Sequence, residues 1–206
     1  MVNKLQKPDY SIPKAYQPIA LMECTGKLLK KIVAKCFNTE IQAFNLLPMP
    51  QFGSRPHHNA VDAVVCLVHR IQGTLATRHV GALLLFDISG FFDNVNPARA
   101  CSVLHNKGFP PNVCEWMLFF LMGREASIKI ESYVSPPFPI LNRTPQGSPL
   151  SPILSALYMS SLLEMAKDWE HCDLSLYVDD GAIYGVSATT TAATKKVWRQ
   201  FKEVLT

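Results

Sequence analysis

The stretch that decides the fold is Leu174-Ser175-Leu176-Tyr177-Val178-Asp179-Asp180, a short apolar run that ends in two adjacent carboxylates. A similar pattern occurs earlier, where Leu83-Leu84-Leu85-Phe86 is followed by Asp87. Both runs predict short buried strands, so each places an acid where a strand stops and the backbone opens to solvent. Charge at the edge of a core needs a partner, and carboxylate oxygens are suitable ligands for divalent cations. The patterns therefore predict a metal site, against the alternative of three solvated surface aspartates.

The segment Thr144-Pro145-Gln146-Gly147-Ser148-Pro149-Leu150-Ser151-Pro152 lies between the two acidic strands in sequence and predicts a tight turn that opens a helix. Three motifs thus occur in a fixed order: Phe86-Asp87-Ile88-Ser89-Gly90-Phe91-Phe92-Asp93, then the Gln-Gly turn, then Tyr177-Val178-Asp179-Asp180. This order resembles the palm motifs of reverse transcriptases, in the form found in non-LTR (LINE-like) retrotransposons.

The upstream segments resemble the finger motifs of the same family, so the resemblance covers almost the whole chain. They are Tyr16-Gln17-Pro18-Ile19-Ala20-Leu21, Gly26-Lys27-Leu28-Leu29 and Gln51-Phe52-Gly53-Ser54-Arg55-Pro56. The resemblance implies an α+β fold of the right-hand polymerase type. Residues 1–80 would form a fingers-like segment and residues 81–206 a palm-like segment, with the later palm motifs and the thumb absent.

By this resemblance, Asp87 and Asp179 would bind both catalytic Mg²⁺ ions, with Asp180 nearby as the third acid and Mn²⁺ as a possible substitute. One ion would activate a primer 3′-hydroxyl and the other would hold the incoming triphosphate. The implied partners are an RNA template, a DNA primer and deoxynucleoside triphosphates. Asp93 is a different case, because its position at a helix approach favours capping over metal binding.

The resemblance also implies a nucleotide-binding set. Phe92 occupies the position that packs under the sugar and excludes a 2′-hydroxyl, while Gln146 and Gly147 would lie against the nucleotide. Without the flanking motifs, Phe92 reads as a core phenylalanine and the Gln-Gly pair as a helix-start turn.

The finger residues are less regular. Lys4 or Lys7 would correspond to a phosphate-binding lysine, and Arg55 to the arginine that follows Gln-Phe-Gly-x. Gln17 stands where the family usually has an arginine that grips the triphosphate, and a neutral amide cannot replace a guanidinium fork.

The spacing of apolar residues and turn signals predicts an antiparallel sheet with helices packed on one face. Helices are expected from the Thr25 cap through Phe44, from the Asn59 cap to about Gly73, from Asn96-Pro97 to Gly108, over Val113 to Met122, from about Pro149 to Trp169, and from about Thr189. A β-hairpin is expected over residues 126–140, and a return strand over Ala182 to Val186.

Composition limits the classes of protein to which the chain can belong, but it does not choose among them. Lys and Arg number 20 against 16 Asp and Glu, a net charge of +4 that is compatible with a polyanionic partner. The six cysteines contain no C-x-x-C pair and are expected to be reduced core thiols. The sequence contains neither a signal-peptide pattern nor a long apolar run, so we expect an intracellular chain without a membrane partner. Nucleus or cytoplasm, and the oligomeric state, are left open.

The sequence thus predicts a reverse transcriptase fragment that transfers deoxynucleotides in retrotransposition. A rival interpretation is a catalytically inactive, decayed remnant that binds nucleic acid, motivated by Gln17 and by the implied missing domains. A relative of group II intron maturases or telomerase shares the palm motifs but fits their wording here less well.

Overall fold

The computed structural model describes residues 2–3, 8–12, 15–17, 23–88, 91–130, 132–140 and 148–205, with the backbone alone for Val2, Asn3, Gln17 and Asp93. The chain divides into two compact units, each built from two separate segments. Unit 1 combines Met1–Ala34 with Gly90–Ser151, and unit 2 combines Lys35–Ser89 with Pro152–Thr206. These units are defined by contacts within the structure, whereas the expected division into fingers over 1–80 and palm over 81–206 is defined by function. The functional division therefore stays a prediction.

The order of elements follows the α+β pattern expected from the sequence. The helices are α1 Cys24–Ala43, α2 Ala60–Ala76, α3 Phe91–Asn94, α4 Pro97–Asn106, α5 Pro111–Leu121, α6 Ser151–Met165 and α7 Thr190–Val204. The strands are β1 Val2–Asn3, β2 Tyr16–Gln17, β3 Val80–Asp87, β4 Arg124–Ala126, β5 Lys129–Ile130, β6 Tyr133–Val134, β7 Phe138–Ile140, β8 Cys172–Tyr177 and β9 Asp180–Ser187.

Capping residues set the starts of several helices. The Asn59 side chain accepts from the backbone N–H groups of Val61 and Asp62. In return, the Asp62 carboxylate accepts from the backbone N–H of Asn59, which completes a capping box. Thr189 caps α7 in the same manner, by accepting from the Ala192 N–H. The predicted Thr25 cap is wrong, because α1 already begins at Cys24.

The predicted apolar face of α1 is only partly buried. Phe37 and Ile41 are buried, whereas Leu28, Ile32 and Phe44 are exposed. Helical spacing predicts which residues share a face, but it does not decide how much of that face a neighbouring element covers.

Unit 2 is organised around a three-stranded antiparallel sheet in the order β3-β9-β8. The helix α7 packs against β9 and β3, and its Phe201 ring lies 5.6 Å from the Phe86 ring. Successive residues of a strand point to opposite faces, so Phe86, Ile183 and Leu174 share the face that α7 covers, and Ile183 and Leu174 are buried there.

A second helix contributes to the other face of this sheet. Arg70 of α2 forms an ion pair with Asp173 of β8, a residue that alternates with the buried Leu174. The antiparallel sheet is thus confirmed, but the expectation that helices pack on one face alone is too simple, since an α2 side chain reaches the second face.

Unit 1 contains the packed pair α4 and α5. Leu104, Met117 and Leu121 are almost fully buried in these helices. The predicted hairpin is confirmed as two successive antiparallel pairs, β4 with β7 and β5 with β6.

All six cysteines are free thiols, but few are core residues. Cys114 and Cys172 are buried, and burial is the main cause that raises the pKa of both thiols. Cys24, Cys36 and Cys66 are exposed, so the expectation of core thiols is wrong for them.

Candidate active site

The three predicted acids meet at one end of the sheet of unit 2. Asp87, the last residue of β3, is directly opposite Asp180, the first residue of β9. Asp179 precedes Asp180 in the turn that joins β8 to β9, and its carbonyl oxygen accepts a hydrogen bond of 3.2 Å from the backbone N–H of Ile88. Residues 92 positions apart (179 minus 87) in sequence are thus brought together by strand pairing.

The turn that carries Asp179 has an unusual backbone. Tyr177 pairs with Asp180, which leaves Val178 and Asp179 as a two-residue loop. Val178 has a φ of 60°, and a positive φ at the first loop residue alone is typical of a type II′ hairpin turn. A β-branched residue rarely adopts this conformation, which costs about 1–3 kcal/mol and persists only where its surroundings enforce it.

The segment around Gln51 supplies those surroundings. The Leu176 N–H donates to the Pro50 carbonyl at 3.0 Å, and the Phe52 N–H donates to the Leu176 carbonyl at 2.9 Å. This segment therefore runs parallel to the end of β8 and pairs with it at Gln51.

Gly53, at the end of the same segment, permits a very close approach to the turn. A Cβ atom at Gly53 would lie 2.5 Å from the backbone nitrogen of Val178, so a larger residue would displace backbone. The sequence placed Gln51-Phe52-Gly53 among the finger motifs and missed this positioning role. The feature of the sequence that could have indicated this role is the glycine at position 53 inside a recognisable motif.

The electrostatics of the site are those of crowded negative charge. Partial burial is the main cause that raises the pKa of the Asp179 carboxyl above its ordinary value, and the neighbouring carboxylates of Asp180 and Asp87 raise it further. The fields of the other two acids therefore disfavour ionisation of Asp179.

The residues present fit a hard divalent cation by type of ligand, since all three offer carboxylate oxygens in a field that favours positive charge. Across the described segments, however, no three or more His, Cys, Asp or Glu side chains are arranged to hold a metal ion as they stand. The acids converge without forming a closed set of ligands.

The other predicted site residues fall in different places. Phe92 lies in α3 of unit 1, half-buried, with its ring edge-on to that of Phe91 at 5.5 Å between centroids. Gln17 lies in β2, where its backbone pairs with Val2, and its side chain lies outside the description. Lys4, Gln146 and Gly147 lie outside the described residues, as does the side chain of Asp93.

Arg55 is half-buried in unit 2, and its guanidinium already has backbone partners. Its Nη1 donates to the carbonyl oxygens of Pro48 at 3.0 Å and Leu47 at 3.4 Å. This contact ties together the loop that leads into the Gln51 segment, so Arg55 supports the loop in this structure.

The profile of the reverse transcriptase (RNA-dependent DNA polymerase) family matches residues 5–206 of this chain. The chain belongs to that family.

Its relatives include polymerases of Drosophila melanogaster mobile elements. The probable RNA-directed DNA polymerase from transposon BS is 28% identical over 188 residues, covering 89% of this chain and 20% of the relative. The corresponding polymerase from the mobile element jockey is 25% identical over 199 residues, covering 94% of this chain and 21% of the relative. The chain thus spans about a fifth of the length of these curated relatives.

The fold is similar to that of a solved telomerase. The structure of apo telomerase from Candida tropicalis, truncated from its C-terminal domain, matches with a TM-score of 0.59 at 14% sequence identity, over 84% of this chain and 36% of that chain. This likeness supports a polymerase fingers and palm fold. Over the described part of the chain, every helix is too short or too polar to cross a membrane.

Proposed function

We propose that this chain is the fingers and palm part of an RNA-directed DNA polymerase of a non-LTR retrotransposon. It would add deoxynucleotides to the 3′-hydroxyl of a DNA primer as directed by an RNA template. The observation that supports this most is the meeting of Asp87, Asp179 and Asp180 at one end of an antiparallel sheet. Family membership and the mobile-element relatives agree with it.

Asp87 and Asp179 are the residues that would hold two Mg²⁺ or Mn²⁺ ions, with Asp180 as the third acid beside them. When bound, the ions would supply Lewis-acid activation of the primer hydroxyl and charge neutralisation at the triphosphate. The contribution of the chain itself is placement. The Ile88 bond to the Asp179 carbonyl and the Gln51 segment fix the backbone of the turn, so the side chains alone would have to adjust when a cation binds.

The nucleotide-binding residues are those that the family motifs imply. Phe92 would exclude the 2′-hydroxyl by bulk, and Gln146 and Gly147 would lie against the nucleotide. Lys4 or Lys7 would contact phosphate, and Arg55 would support the same finger motif. Gln17 would be a weak point, because an amide offers phosphate a neutral hydrogen bond where a guanidinium offers a charged fork.

Calorimetric titration with Mg²⁺ and Mn²⁺ tests the metal site directly. The parent chain should bind, and the Asp87→Asn/Asp179→Asn protein should lose most of the binding heat. A matched control is Asp168→Asn/Glu170→Gln, which removes the same charge from exposed positions of unit 2. Undiminished binding by the first variant, or equal loss in the control, would remove the metal-site proposal.

Primer extension tests the reaction. A longer version of the protein that includes a related thumb should extend a DNA primer on an RNA template, and Asp87→Asn should abolish extension. If the longer protein with intact acids binds the template–primer but extends nothing, the inactive-remnant interpretation replaces the polymerase proposal.

A further inference from the structure

The helix α7 has a strongly basic outer side. Ala193, Val197 and Gln200 are buried on the side that packs against the sheet. At 100° per residue, Lys195, Trp198, Arg199 and Lys202 fall on the opposite side, and all four are exposed. We call these four residues the basic stripe.

The charges of the basic stripe are not neutralised locally. Glu203 is the one acid in α7, and its carboxylate accepts a hydrogen bond of 3.0 Å from the Trp169 indole N–H. Within the described part of the chain, none of the three cations of the stripe lies at ion-pairing distance from a carboxylate. A helix face that carries three unpaired cations favours a polyanionic partner.

The exposed tryptophan distinguishes this stripe from an ordinary solvated face. Trp198 is 52% exposed, although tryptophan is highly buried on average. Its ring is held by neighbours within α7, with the Phe201 ring at 5.7 Å and the Lys202 Nζ at 5.9 Å from its centroid. A positioned aromatic ring among cations is the arrangement on which unpaired bases stack.

The basic stripe is separate from the three acids. Phe86 contacts α7 through Phe201, whereas the next residue, Asp87, points to the opposite face of the same strand. The stripe lies on the far side of α7 from that sheet. A strand bound there would not compete for the carboxylate site.

We propose that the basic stripe of α7 is an accessory binding surface for an unpaired polynucleotide. Lys195, Arg199 and Lys202 contact phosphates, and one base stacks on Trp198. The stripe runs over eight residues, from Lys195 to Lys202, or about 10 Å of helix. RNA and DNA share this chemistry, so the test contains both.

Fluorescence anisotropy of labelled oligo(rU) and oligo(dT) on the 206-residue chain measures this binding over a range of salt concentrations. The Lys195→Gln/Arg199→Gln/Lys202→Gln protein should bind about tenfold or more weakly. Its slope of log K against log salt should be shallower by up to about 2, at about 0.7 per single-strand phosphate contact. The matched control is Lys31→Gln/Lys35→Gln/Lys129→Gln, which removes three exposed charges outside α7, and its affinity should stay within about twofold.

Trp198 provides the specific readout. Its fluorescence should be quenched by either oligonucleotide, and Trp198→Leu should weaken binding on the order of tenfold, whereas Trp198→Phe, which keeps a ring, should retain most of it. A blunt-ended duplex should bind more weakly than either single strand. Thermal melts show whether each variant is folded. If Trp198→Leu does not fold, the comparison of Trp198→Phe with the parent still tests the proposal.

Three results would overturn the proposal: parent-like affinity in the stripe variants, equal losses in the lysine control, or tighter binding of the duplex. In calorimetric titration, the Lys195→Gln/Arg199→Gln/Lys202→Gln protein should still bind Mg²⁺ as the parent does. Failure of the stripe is thereby distinguished from failure of the catalytic site.

Discussion

Asp87 and Asp180 face each other directly across the neighbouring antiparallel strands β3 and β9, so two carboxylates share one end of the sheet with no cation of the chain between them in the strand register. Like charges at directly opposed positions destabilise a sheet. The arrangement is therefore unfavourable for the fold alone, and it is favourable for a protein that binds positive charge at this position.

Removing one of these opposed charges should stabilise the protein in the absence of divalent cations. Asp180→Asn relieves the cross-strand repulsion, for which we expect a gain of about 0.2–1 kcal/mol, or a rise in Tm of roughly 0.5–4 °C for a chain of this length. Calorimetry in the presence of a chelator measures it. The exposed Asp168→Asn should change Tm far less, and an unchanged Tm in Asp180→Asn would argue against repulsion at the site.

The raised pKa of Asp179 predicts how stability depends on pH without metal. A carboxyl with a raised pKa in the folded state is ionised more readily in the unfolded state, so its stabilising contribution is complete below the unfolded pKa and is lost as the pH rises through the folded pKa. Asp179→Asn should therefore match the parent at pH below about 3.8 and exceed it increasingly above that. Unfolding by urea across this range measures the difference, and parallel profiles would contradict it.

Gly53→Ala should displace the turn that carries Asp179. The added Cβ would meet the Val178 backbone at 2.5 Å, and overpacking of this kind costs about 1–3 kcal/mol. Gly73→Ala is the matched control, because nothing lies within 4 Å of its added Cβ and alanine in a helix interior gains about 0.5–1 kcal/mol. In chemical denaturation, Gly53→Ala should lower the free energy of unfolding and Gly73→Ala should raise it. Only Gly53→Ala should also weaken Mg²⁺ binding.

Phe92→Val should admit ribonucleotides in a longer, active version of the protein. The lost ring opens space for a 2′-hydroxyl if Phe92 is the residue under the sugar. Single-nucleotide insertion with paired ribo- and deoxynucleoside triphosphates measures the discrimination. The neighbouring Phe91→Val serves as the control, and unchanged discrimination in Phe92→Val would remove the sugar-gate assignment.

Gln17→Arg should improve nucleotide affinity in the same longer protein. A charge-assisted, bidentate contact to phosphate contributes about 1.5–3 kcal/mol, so the KM for the nucleotide should fall on the order of tenfold or more. Steady-state kinetics of Gln17→Arg and Gln17→Ala measure this. If both variants keep the KM of the parent, residue 17 does not face the triphosphate, and the alignment of the finger motif is wrong.

Local patterns determined much of the secondary structure. The Asn59 and Thr189 caps set helix starts, and the acidic ends of two apolar runs became the ends of β3 and of the β8–β9 turn. The wrong predictions concerned which apolar helix faces are buried under a neighbouring element. Leu28 and Ile32 repeat at helical spacing but remain exposed, because burial depends on what packs against a face rather than on its periodicity.

The sequence by itself singled out Asp87, Asp179 and Asp180 as the candidate site residues, because the three ordered motifs contain them and the strand pattern predicts each at a strand end. Only the tertiary structure decided that Asp87 stands opposite Asp180, that the Gln51 segment pairs beside β8, and that Gly53 abuts Val178. Strand order and register depend on contacts between residues far apart in sequence, and local propensity contains no information about which strands will pair. The basic stripe shows the same division, since its residues are evident in the sequence but the side of the sheet on which they lie is not.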